Sequence, residues 1–82
     1  MQLTYANGQD RVVTLVLEPW AYSEPVVPGS RVRMTFELAP GEQPDIHVDH
    51  EPDGAIMLSV PHNLVEIAHD DVPYWRFAAP LP

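Results

Sequence analysis

Ten prolines and four glycines cut this chain of 82 residues into short apolar runs, and none of those runs keeps a helical period. Alternation between turn clusters is the pattern of β-strands, so the chain reads as all-β: a small antiparallel β-sandwich or partly open barrel of about six or seven short strands. A chain of this length forms one domain with a modest core, assigned to residues 1–77, followed by an extended proline-rich tail over 78–82.

Leu3 and Tyr5 alternate with polar residues, and Asn7-Gly8 then supplies the pair favoured in a tight hairpin turn. The run Arg11 to Leu17 follows as a strand apolar on both faces, expected to be central or covered on both sides. Pro19, Pro25 and Pro28 exclude a regular helix or a central strand between Glu18 and Ser30, which therefore reads as an extended connection crossing between sheets. Pro28-Gly29 has the residues of a type II turn, and Arg31 to Leu38 alternates with Val32, Met34, Phe36 and Leu38 inward. A short polar edge strand is expected near Asp45 to His50. The turn Glu51-Pro52-Asp53-Gly54 leads from it into Ala55 to Val60. Strands Leu64 to Ala68 and Tyr74 to Phe77 complete the set, with Asp70-Asp71 between them. The expected core is Val13, Leu15, Leu17, Val32, Met34, Phe36, Ile56, Leu58, Val65 and Ile67.

Composition narrows the function classes. There is no cysteine, hence no disulfide, thiolate metal site or cysteine nucleophile, and the cytoplasm is the expected compartment. No apolar stretch reaches the length of a membrane span, and the first residues lack the basic start and apolar run of a signal peptide. The chain reads as whole, soluble and unexported. Its formal charge of −8 comes from 12 acidic residues against four arginines and no lysine, which disfavours nucleic acid as a partner. Nine of the acids lie between Arg33 and Arg76, so the second half presents a negative surface to which a basic protein partner would dock.

Leu17-Glu18-Pro19-Trp20, followed by Pro28-Gly29-Ser30-Arg31-Val32, resembles a pattern in small uncharacterised bacterial proteins: a strand ending in Glu-Pro-Trp-Gly, an acidic connection, then Pro-Pro-Gly and another strand. The resemblance covers about residues 12–34; Ala21 stands where the pattern has glycine and Val27 where it has the first proline. It implies a small bacterial β-domain and carries no activity with it.

Two residue groups are candidates for function. Four histidines and their acidic neighbours fall close together, and His47 and Asp49 share one strand face, so a divalent ion there would draw His62 or His69 from a nearby turn. This His/Asp set is similar to the histidine-rich strand of cupins, without their His-x-His pair, and implies a metal- or small-molecule-binding mini-barrel as the alternative function. No cofactor is otherwise expected. The second group is aromatic: Trp20 and Tyr22 among prolines, and Tyr74, Trp75 and Phe77 on the terminal strand, form candidate partner-binding or homodimer surfaces. No Gly-x-Ser-x-Gly turn or phosphate-cradling glycine loop is present, so the reading leans away from an enzyme and toward a binding or adaptor domain; a self-associating assembly module is the further alternative.

Overall fold

The computed structural model describes residues 1–76, with side chains to residue 73. They form eight strands: β1 (Gln2–Ala6), β2 (Val13–Glu18), β3 (Tyr22–Val26), β4 (Arg31–Glu37), β5 (His47–His50), β6 (Ile56–Ser59), β7 (Asn63–His69) and β8 (Val72–Arg76). Two sheets of four result, in the orders β1-β4-β7-β8 and β3-β2-β6-β5. The all-β reading holds, as an open sandwich rather than a barrel. One departure is the β2–β6 pair, which is parallel where an antiparallel sheet was expected.

The core lies between the two inner faces. Leu15, Leu17, Val26 and Leu58 from the second sheet meet Val32, Met34, Phe36, Leu64 and Ile67 from the first. Alternation along β4 sends Val32, Met34 and Phe36 inward, as the sequence predicts, and leaves Arg31, Thr35 and Glu37 on the outer side. Val65 does not join them. The ladder between β4 and β7 slips by one residue after the Thr35–Glu66 pair, so that Phe36 pairs with Leu64 and Val65 becomes the extra residue of a β-bulge. Leu64 takes the buried position expected for Val65, and Ile56, also expected in the core, is half-buried at its margin.

The Asn7-Gly8 pair makes no hairpin, because β1 and β2 belong to different sheets. Asn7 is instead a staple for the crossing between them and is only 2% exposed. Its amide nitrogen donates to the carbonyls of Arg11 and Val26, at 2.8 and 2.7 Å, and its side-chain oxygen accepts from the Gln9 amide at 2.8 Å. Its backbone also bonds Ser30 and Gly29. The tight two-residue hairpin lies between β7 and β8: His69 pairs with Val72, and Asp70 and Asp71 both have positive φ, at 49° and 66°.

The stretch from Glu18 to Ser30, read as a plain connection, contains β3, whose Pro25 is accommodated because β3 is an edge. The strand ends in the expected type II turn, with Gly29 at φ +83° and the Ser30 amide bonded to the Val27 carbonyl at 3.0 Å.

Two side-chain relationships fix how the sheets stack. Glu24 of β3 meets His69 of β7 across the sandwich, at 2.8 Å. Tyr5 of β1 lines one cavity with Ile56 of β6 and His50 of β5. The free edges of β3 and β8 therefore share one flank, and those of β1 and β5 share the other.

Candidate functional site

Metal ligation needs its ligands within a few ångströms of one ion, and the four histidines do not meet that condition together. His62 and His69 stand at opposite ends of β7, about 20 Å apart at the usual rise per residue. His47 and Asp49 lie on the exposed strand β5, with His47 Nε2 3.3 Å from Asp45 Oδ1. His62 is buried beside the 39–46 loop, where its Nε2 accepts the Asp45 amide at 3.1 Å, so the neutral ring carries its proton on Nδ1. That Nδ1 lies 3.2 Å from Glu42 Oε2, poorly aligned for a hydrogen bond. His69 turns inward to Glu24, with Asp70 Oδ2 3.7 Å from its other ring nitrogen. Among the described residues no group of three or more His, Cys, Asp or Glu side chains is placed to hold a metal ion.

The aromatic candidates divide between the core and the terminal strand. Trp20 stacks on Phe36, with ring centroids 6.3 Å apart, and both Trp20 and Tyr22 are half-buried against the core. Tyr74 and Trp75 lie in β8; Phe77 and the tail over 78–82 lie outside the described residues.

The β3/β8 flank is closed by its own chemistry. Pro25 and Pro73 sit within its two edge strands, so Pro73 is inside the terminal strand rather than at its threshold. At the β7–β8 turn, Asp70 accepts from Ser30 Oγ and from the Arg31 amide, both at 3.0 Å, and Asp71 accepts from the guanidinium groups of Arg31 and Arg33, at 2.8 and 2.9 Å. These bonds favour the charged forms. The Arg31 amide and then the Ser30 hydroxyl hold the Asp70 carboxyl below its ordinary range, and Arg31 does the same for Asp71, whose charge in turn raises Arg31.

Among the described residues nothing covers the β1/β5 flank. All four residues of β5 are exposed, and Val48 is 53% exposed although its partner Leu58 is in the core, so β5 extends beyond the cover of the opposite sheet. Neither β1 nor β5 contains proline. The direction of the free backbone groups follows from the turn that ends β5. The Glu51 amide bonds the Ala55 carbonyl at 2.8 Å, and the Gly54 amide bonds the Glu51 carbonyl at 2.9 Å, with Gly54 at φ +91°. This is a type I turn closed by a glycine bulge, in which Glu51 and Ala55 form a hydrogen-bonded pair. Hydrogen-bonded and non-bonded pairs alternate along an antiparallel ladder. The amides and carbonyls of Val48 and His50, paired with Leu58 and Ile56, therefore point away from β6 to the free edge.

At the His50 end of this edge a cavity of about 350 Å³ opens between the sheets, floored by Val13 and Ile56 and rimmed by Tyr5, Gln9, Arg11, His50 and the turn from Glu51 to Gly54. Both rim segments are braced, one by the Asn7 staple and the other by the Asp53 carboxylate, which accepts the Ala55 amide at 2.9 Å. Arg11 is the residue that sequence reasoning passed over. Its signal was an arginine three residues after Asn7-Gly8, at the head of the β2 run, in a chain without lysine.

Comparison with protein-family models, with curated proteins and with solved structures finds no match to this chain. No helix among the described residues is long and apolar enough to cross a membrane.

Proposed function

We propose that this domain is a non-catalytic binding module that takes an extended basic segment of a protein partner along the free edge of β5. The observation that carries the reading is the state of that edge: a proline-free strand exposed on both faces, with the backbone groups of Val48 and His50 directed outward. Strand addition to such an edge draws affinity from main-chain hydrogen bonds and specificity from alternate side chains. Charge supplies the chemistry of the occupant. Asp45, Asp49, Glu51 and Asp53 surround the strand, while two of the four arginines, Arg31 and Arg33, are held by Asp71 at the other flank. A segment carrying lysine or arginine at alternate positions places those side chains over the face that bears Asp49, and its apolar side chains over Val48.

The test uses a synthetic hexapeptide, Lys-Val-Lys-Val-Lys-Val, acetylated and amidated at its ends, titrated by calorimetry. Binding is expected to weaken with added salt. Val48→Pro removes one outward amide without touching the β5–β6 ladder and should weaken binding about tenfold or more while leaving the melting temperature nearly unchanged. Equal binding by the wild type and by Val48→Pro would overturn the edge reading.

A further inference from the structure

The cavity at the end of β5 is lined by a cation that has no counter-ion among the described residues. No carboxylate among the described residues lies within ion-pairing distance of the Arg11 guanidinium, although Glu51 and Asp53 line the same cavity. The side chain lies instead along the turn after β5, its Nη2 3.5 Å from where a Cβ on Gly54 would stand. In a chain of net charge −8, an unpaired arginine beside two acids is an unusual place to leave a guanidinium, whose planar fork matches a carboxylate in two parallel hydrogen bonds. Val13 and Ile56 are the aliphatic side chains of a lining that is otherwise largely polar, and the cavity's volume falls within the range of sites that enclose small ligands or side chains.

We infer that this cavity captures the C-terminal carboxylate and the last, apolar side chain of the basic segment that adds to β5, an inference that rests on the edge reading above. The geometry selects the direction of the segment. β5 runs toward His50 and the cavity, so a chain that ends there lies parallel to β5. The register also agrees: His50 shares its face with Ile56, so the final residue opposite His50 points to the cavity floor, and the residue before it points to the side of Asp49. Arg11 then receives the terminal carboxylate, and Tyr5 and Gln9, which line the same cavity, bring a phenol hydroxyl and a side-chain carboxamide as further donors. Asp49 and its neighbours receive the basic side chains, so one chain terminus meets opposite charges at opposite ends of a single edge.

The experiment compares the acetylated Lys-Val-Lys-Val-Lys-Val peptide carrying a free C-terminal carboxylate with the same peptide amidated. On the wild type the free acid should bind about tenfold or more tightly, the worth of a charge-assisted pair. In Arg11→Ala, a change at an exposed side chain, the two peptides should bind alike. Equal affinity of acid and amide for the wild type overturns terminal capture and leaves the edge reading standing. A preference that survives in Arg11→Ala overturns the assignment of Arg11, and failure of both peptides to bind overturns capture and edge reading together.

Discussion

The two flanks of this sandwich meet the same hazard, unpaired strand edges, by opposite means. On the β3/β8 flank each edge strand contains a proline, and the polar side chains are used within the flank: Glu24 meets His69, Asp70 accepts from the Ser30 hydroxyl and the Arg31 amide, and Asp71 accepts from the guanidinium groups of Arg31 and Arg33. On the β1/β5 flank there is no proline in either edge strand, and Arg11 has no ion-pair partner among the described residues. An edge left open must still be kept from pairing with copies of itself. The acids around β5 would repel their counterparts on a second copy, and under the reading proposed above the same charge draws a segment of the opposite sign. The closed flank uses its charges on itself, and the open flank leaves the carboxylates around β5 exposed.

The largest expected effect tests whether the two flanks are one cooperative unit. Phe36 lies in the core at 1% exposure, stacks on Trp20, and exchanges backbone hydrogen bonds with Met1. Phe36→Ala should cost about 3–5 kcal/mol, a large part of the stability of a small domain. Amide exchange should then quicken on β3 and on β6 alike, as expected of a single folding unit. Protection lost on one flank alone would show that the flanks open separately.

Features fixed by local chemistry were legible in the sequence, and those fixed by packing at a distance were not. The alternation of β4, the turn from Val27 to Ser30 and the turn from Glu51 to Gly54 were all readable, because each depends on residues within a few positions of one another. Asn7-Gly8 misled for the opposite reason: the Asn7 amide is used by the Val26 carbonyl, 19 residues away, and nothing local announces that bond. The bulge at Val65 and the parallel β2–β6 pair are likewise products of packing between distant strands. At the candidate site, the polar edge strand was expected from its composition, whereas the cavity beside it was not, since Tyr5, Arg11, His50 and Ile56 come from four separate segments.

A middle-sized effect sharpens the comparison through pH. The Asp70 and Asp71 carboxyls are lowered from their ordinary value of 3.8, so what they contribute to stability is present above that value and lost as pH falls through their depressed folded values. Both carboxylates are on the closed flank. The double variant Asp70→Asn/Asp71→Asn should therefore melt below the wild type at pH 7, and the gap should close as the pH is taken below 3.8. A gap that stays constant from pH 7 to about pH 2 would mean that the charges of this turn do not hold the flank.

The smallest effect concerns backbone strain, and here too the flanks differ. Among the described residues three other than glycine have positive φ, namely Ala21, Asp70 and Asp71, and all three lie in turns that lead into the edge strands of the closed flank. The turn that ends β5 on the open flank has Gly54 at its left-handed position. Asp70 and Asp71 are held there by their side-chain bonds, and replacing either by glycine would lose those bonds while relieving the strain. Ala21, at φ +53°, has a methyl group and no such bond to offer. The left-handed conformation costs a residue with a Cβ about 1–2 kcal/mol, and glycine gives back about 0.5–1 kcal/mol through the freedom of the unfolded chain. Ala21→Gly should thus raise stability by up to about 1 kcal/mol, read as a small rise in melting temperature or in denaturant midpoint at unchanged slope. A fall in the midpoint would show that Ala21 is not strained and that the tight turn before β3 is stabilised by something other than the packing of Trp20 on Phe36.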